Sequence, residues 1–177
     1  MRSIKVLIVG PFNAGKTTFI KTLAGLSMTT DVEVTSPEER RKKEKTTVGM
    51  DFGMVNIGDG YVVRLFGSPG QPRFSFMWRV LSVGAHGVIF MVDSSDSESI
   101  SASVEEFKRA RAQFGKLPIV VAANKQDLPQ ALKPEDVRFV LSVPPTIPVL
   151  PCIAIDKNAA WLVLGTLLEM VIGRKSG

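Results

Sequence analysis

A chain of 177 residues, 45% hydrophobic and 22% charged, has the size and composition of one folded domain and excludes disorder throughout. A net charge of +5 suits a polyanionic ligand without choosing among nucleic acid, anionic surfaces and smaller phosphates. One cysteine, Cys152, excludes an internal disulfide and fits a reducing, cytoplasmic setting; with a single histidine, His86, it supplies no metal cluster.

Ile4–Val9 is a short β-branched, apolar run, the pattern of a strand buried on both faces. Gly10–Thr17 is a turn, and Thr17–Leu26 continues as a helix with Phe19, Ile20 and Leu23 on one side. Ser27–Thr46 contains Pro37 and the charged run Glu38–Lys45, and reads as a long loop with Arg40-Arg41-Lys42-Lys43 as a solvated patch. Val48–Ile57 and Tyr61–Phe66 are predicted strands joined by the hairpin turn Gly58-Asp59-Gly60. Phe74–Val83 includes a helix, with Trp78 in the core or facing a partner, as is Trp161 later in the chain.

The remainder alternates. Val88–Asp93 is a strand, Ile100–Phe114 a helix, Ile119–Asn124 a strand, Pro134–Leu141 a short helix, and Val149–Ile153 the last strand. Asn158 is a candidate cap for a closing helix, whose apolar face Ala159–Val171 reads as core. No apolar stretch reaches the ~20 residues that span a bilayer, so stable membrane insertion is not expected. Neither a secretory signal nor a myristoylation or prenylation signal is expected. The expected architecture is α/β: a six-stranded, mostly parallel sheet with one antiparallel edge strand, helices on both faces, and a single domain over residues 1–177. Ligands on such sheets bind outside the carboxyl ends of the strands.

Gly10-Pro11-Phe12-Asn13-Ala14-Gly15-Lys16-Thr17 fits the phosphate-loop pattern G-x-x-x-x-G-K-[ST]. A phosphate chain needs many donors in a small space. A tight loop turns successive backbone N–H groups inward, glycine permits close approach, and the following helix brings its positive end to the same point. Lys16 would reach the terminal phosphates, and the Thr17 hydroxyl would bind Mg²⁺. Asn124-Lys125-Gln126-Asp127 follows a predicted strand. A carboxylate at Asp127 accepts two hydrogen bonds from guanine, at the ring N–H and the exocyclic amino group, where adenine offers neither donor. Asn124 would tie this loop to the phosphate loop, and the Lys125 stem would cover the base.

In order and distance these two motifs resemble the Ras/Rab/Arf superfamily of small GTPases, over nearly the whole chain. The resemblance implies a GTP/GDP-binding switch of the P-loop NTPase (small G-protein) fold, with Mg²⁺ as cofactor and slow hydrolysis of GTP to GDP and phosphate. Thr46-Thr47-Val48-Gly49 with Asp51-Phe52 looks like a first switch, so that Thr47 joins Thr17 on Mg²⁺. Pro69-Gly70-Gln71-Pro72-Arg73-Phe74 resembles a second switch, with Gly70 donating to the γ-phosphate and Gln71 orienting the attacking water; Gln71 and Lys16 are the catalytic candidates. Pro151–Ile155 resembles the last guanine motif only at Ala154. The implied nucleotide-binding set is completed by Gly10, Asn13, Ala14, Gly15, Thr18, Asn124, Lys125 and Asp127. Leu65–Gln71 looks most like prokaryotic Ras-like GTPases related to gliding-motility switches and to GTPases encoded beside roadblock-type proteins. That implies a protein effector and an activating partner, and no nucleic acid.

Two positions depart from the superfamily. Gly67 stands where an aspartate usually orders Mg²⁺ through water, which leaves Asp51 or Asp93 as a substitute. Phe12 stands where a small residue usually leaves room beside the γ-phosphate, so unaided turnover is expected to be slow. A binding module that does not hydrolyse its nucleotide is the alternative. A P-loop ATPase or kinase is a third reading, opposed by Asn124–Asp127.

Overall fold

The structure, a computed structural model, describes residues 1–25, 28–34, 46–71 and 74–175; for residues 28–34, 46–48 and 175 it describes the backbone. β1 (Arg2–Val9) leads through the phosphate loop into α1 (Lys16–Ala24). β2 (Met28–Val34), β3 (Thr46–Gly58) and β4 (Tyr61–Gly67) follow, then α2 (Met77–Ser82), β5 (Gly87–Asp93), α3 (Ser97–Phe114), β6 (Ile119–Asn124), α4 (Pro134–Leu141), β7 (Val149–Pro151) and α5 (Lys157–Lys175).

These strands form one sheet in the order β2-β3-β4-β1-β5-β6-β7. β4, β1, β5, β6 and β7 are mutually parallel, while β3 runs antiparallel to both β4 and β2. The strand order reverses around β1, so the carboxyl ends of β1, β5 and β6 open onto one crevice. β5 and β6 are buried at every residue, as their unbroken apolar runs require of strands covered on both faces.

Each sheet face carries its own core. On one, Phe19 and Ile20 of α1 and Leu164, Leu167 and Leu168 of α5 pack on Ile4, Val6, Ile8 and Leu65. On the other, Met77 and Trp78 of α2, Phe107 and Phe114 of α3 and Val137 of α4 pack on Leu7, Val9, Phe90 and Val92. Each fully buried phenylalanine contributes roughly 1.5–3 kcal/mol relative to exposure. Trp78 is a core residue packed against Phe114, with ring centroids 5.5 Å apart and the planes tilted by 41°, and Trp161 is partly buried.

The α/β class, the parallel majority and the helices on both faces all stand. The sheet nevertheless has seven strands rather than six, because residues 28–34 form β2 instead of belonging to a loop. β2 pairs with β3 from Met28↔Phe52 to Val34↔Thr46, which makes antiparallel β3 the second strand and β2 the edge. The alternation Asp31-Val32-Glu33-Val34 was the available signal, masked by its polar surroundings. Residues 35–45, including Arg40–Lys43, lie outside the described residues. The closing helix is capped by Asp156, whose Oδ1 accepts from the Ala159 N–H at 2.9 Å, and not by Asn158. Asp96 likewise starts α3 three residues before Ile100 by accepting from Glu98 N and Ser99 N. Among the described residues, no helix is long and apolar enough to cross a membrane.

Candidate functional site

The loop between β1 and α1 is shaped by two glycines that nothing else replaces. Gly10 has φ +145°, and a Cβ there would lie 2.2 Å from the Met91 carbonyl oxygen; Gly15 has φ +102°, and its Cβ would lie 2.3 Å from Asn124 Nδ2. Asn13 also adopts a left-handed conformation, φ 63°. α1 begins directly after this loop with no side-chain cap and no acidic residue in its first turn, so its N-terminal amides remain available to an anion.

Lys16 is buried and curls back over the loop, donating from Nζ to the carbonyls of Gly10 and Pro11, both at 2.7 Å. Burial pushes its ammonium down to about 8, against the opposing pull of Glu106 and Asp51. An ammonium held at such a cost is one that a phosphate would stabilise. Glu106, on α3 in line with Ser99, Ser103 and Ala110, was not singled out from the sequence although it sits on that helix's buried stripe. Burial raises its carboxyl, and Lys16 and Arg109 partly offset the rise.

The loop opens on a cleft of about 410 Å³ lined by Phe12, Asn13, Gly15, Lys16, Thr17, Thr18, Gly49, Asp51, Gly70 and Lys125, among others. Phe12 is 64% exposed at its mouth. Gly70 packs tightly on the loop: a Cβ there would meet Phe12 N at 2.7 Å and Lys16 Nζ at 2.8 Å, so its backbone stands beside the lysine that a terminal phosphate would contact. Gln71 is exposed next to Gly70 and is not among the residues lining the cleft. Thr47 lies in β3 with its backbone opposite Glu33 of β2; its side chain lies outside the described residues.

The two carboxylates weighed as substitutes for an aspartate at position 67 separate cleanly. Asp51 is the β3 residue registered directly opposite Gly67 of β4. A Cβ at Gly67 would lie 3.2 Å from Asp51 Cβ and 3.7 Å from Asp51 Oδ2, so the Asp51 carboxylate stands next to the space that a side chain at 67 would enter. The Thr17 hydroxyl donates to Asp51 Oδ2. Asp93 instead binds Lys125 and Ser95 and does not line the cleft. Among the described residues no three His, Cys, Asp or Glu side chains converge. The donor set of hydroxyl and carboxylate oxygens fits Mg²⁺, which keeps several waters and uses one or two carboxylates together with substrate phosphates.

Asn124 joins the second half of the site to the first. Its Nδ2 donates to the Ala14 carbonyl at 2.8 Å, and its Oδ1 accepts from the Ala154 N–H at 2.9 Å. One buried side chain thus fixes the phosphate loop, the end of β6 and the segment after β7 together. A pocket of about 170 Å³ beside it is lined by Gly15, Thr18, Asn124, Lys125, Asp127, Leu128, Ile153, Ala154 and Ile155. Its apolar walls and single carboxylate match the needs of a flat purine with two edge donors. Lys125, in a left-handed conformation with φ 65°, lines both this pocket and the cleft. Cys152 is buried behind it, and burial pushes its thiol up to about 12, so it is inert.

Comparison with known proteins bears on the chain as a whole. The rat and the human ADP-ribosylation factor-related protein 1 are 32% and 31% identical to it over 147 and 148 residues, 77% of this chain and 66% of each relative. The chain thus spans just under two thirds of the length of these curated relatives. Neither match supports the narrower resemblance to the prokaryotic gliding-motility branch. Residues 1–168 match the ADP-ribosylation factor (Arf) family, and the chain belongs to that family.

Proposed function

We propose that the protein is a guanine-nucleotide switch that binds GTP or GDP with Mg²⁺ and hydrolyses GTP slowly. The observation that carries this reading is the double hydrogen bond of Asn124, which ties the phosphate loop to the Ala154 segment bordering the purine-sized pocket. Loop amides, the α1 N-terminus and Lys16 bind the phosphates. Asp127 reads guanine, and the Ala154 segment borders the base.

Thr17 would hold the metal directly and Asp51 would order its water, taking the place of the missing carboxylate at Gly67. The metal would supply charge neutralisation on the phosphates. Gly70 would donate its N–H to the terminal phosphate, and Gln71 would orient water on entering the cleft from its exposed position. Thr47 would join Thr17 on the metal, and opening of the β2–β3 ladder at its Val34↔Thr46 end would give the switch a mechanical step. An effector and an activating partner would read or complete the ordered form. A roadblock-type partner and the gliding-motility resemblance rest on Leu65–Gln71 alone, and a cytoplasmic location on the lone cysteine.

Phe12, projecting at the cleft mouth, favours a second reading in which the nucleotide is held for assembly and not hydrolysed. Single-turnover GTP hydrolysis with and without Gln71→Ala separates the two: a rate unaffected by the substitution supports the assembly module. Calorimetry with GDP, GTP and ATP tests the shared premise, and Asp127→Asn should move preference from guanine toward xanthine nucleotides. Equal binding of GTP and ATP by the unaltered protein would sink the guanine assignment.

A further inference from the structure

Asp93 ends β5, outside both nucleotide motifs, and is only 4% exposed. Its Oδ1 accepts from Ser95 N at 3.0 Å and from Ser95 Oγ at 2.6 Å; its Oδ2 accepts from Lys125 Nζ at 2.6 Å. Burial opposes its ionisation, but the bonds from Lys125 and Ser95 outweigh burial and hold the carboxyl below its ordinary value. At 2.6 Å the Asp93 carboxylate and the Lys125 ammonium form a salt bridge. Among the described residues, its lysine is the one cation that lines both the phosphate cleft and the base pocket, and its terminal ammonium is already engaged.

We propose that Asp93 is a positioning residue for nucleotide binding. By anchoring the Lys125 ammonium before any ligand arrives, it fixes the lysine's aliphatic stem as a wall at the seam of the two subsites, against the nucleoside portion of a guanine nucleotide. The inference rests on the nucleotide reading above. A lysine stem has four rotatable bonds, and immobilising such a side chain on binding costs the equivalent of about a 3- to 10-fold loss of affinity. An anchored stem has met that cost during folding. Register explains why a residue outside the motifs does this: Asp93 pairs with Asn124, so the carboxylate lies one residue back on the neighbouring strand from Lys125. The left-handed backbone at Lys125 turns the chain at that point.

The test is the dissociation of GDP from the full chain. Asp93→Asn keeps the size of the side chain and an acceptor for Ser95 but removes the charge. We expect GDP to leave about 3- to 10-fold faster, the range that an ordering cost of this size implies. Lys125→Met, which keeps a stem without an ammonium, should show a similar increase, and adding Asp93→Asn to it should add nothing further. Asp93→Glu should recover most of the loss. A carboxylate that only steadied β5 would act equally in both lysine backgrounds, and that additivity would overturn the proposal. So would unchanged dissociation in Lys125→Met, a result that stands even if Asp93→Asn fails to fold. Failure of the unaltered protein to bind GDP would refute the nucleotide reading itself, whereas tight binding with an inert Asp93→Asn refutes only this inference.

Discussion

The two rims of the cleft are built on different plans. On the β3–β4 rim, Asp51 reaches across to the Thr17 hydroxyl at the edge of the cleft and lines it. On the β5–β6 rim, Asp93 sits deeper, bound by Lys125 and Ser95, and contributes to the cleft only through the lysine it holds. Both carboxylates stand on strands of the one sheet, Asp51 on β3 and Asp93 on β5. What separates their roles is the neighbour each meets across the ladder: a glycine that leaves space at position 67, and an asparagine followed by a lysine at positions 124 and 125.

The strongest way to break this contrast is to move the carboxylate on the first rim. Asp51→Ala should weaken Mg²⁺-dependent GDP retention by about 10- to 100-fold, the usual cost of losing an outer-sphere partner. Gly67→Asp alone should destabilise the fold by roughly 1–3 kcal/mol, because its Cβ would meet Ile20 Cδ1 at 2.9 Å and Asp51 Cβ at 3.2 Å. The double exchange Asp51→Gly with Gly67→Asp removes one of those clashes and returns the carboxylate from the opposite strand. It should recover most of the Mg²⁺ dependence, read by titrating GDP release against free Mg²⁺. An exchange variant that folds but stays as weak as Asp51→Ala would show that the rim needs Asp51 itself and not a carboxylate in that space.

Phe12 sharpens the contrast from the mouth of the cleft. Its ring is 64% exposed, so Phe12→Gly removes little buried contact. The substitution should raise single-turnover GTP hydrolysis by about tenfold, or about 1.4 kcal/mol of barrier, by giving Gln71 access from its exposed position. An unchanged rate would mean that the ring does not obstruct the terminal phosphate.

What was legible in the sequence divides along the same physical line. Gly10–Thr17 is a contiguous motif whose geometry is set by its own glycines and the strand and helix beside it, so its place at the end of β1 followed from local pattern alone. Asn124 could be given its tying role because a single motif states it. Asp51 and Asp93 could not be told apart, because each role depends on a partner from another strand, and register is a tertiary fact. β2 was missed for a related reason: pairing with β3 is also a tertiary fact, and Thr29–Val34 carries no apolar run to announce a strand. Glu106 escaped because its significance depends on which loop α3 faces.

The smallest expected effect concerns the second rim and is read without any ligand. Asp93 has its carboxyl held below the ordinary 3.8 in the folded chain. The folded state therefore binds fewer protons at this site than the unfolded state does near that value, so the pair's contribution is fully present above the unfolded pKa. It is lost as pH falls through the folded pKa, when protonation breaks the bond to Lys125. Asp93→Asn lacks this group, so its melting temperature should lie roughly 2–6 °C below that of the unaltered protein at pH 7, with the gap narrowing as pH falls below the ordinary carboxylate value. Thermal melts across that range measure the convergence. Parallel curves for the two proteins would show that Asp93 is not ionised against Lys125 in the folded chain, and the distinction between the two rims would fall with it.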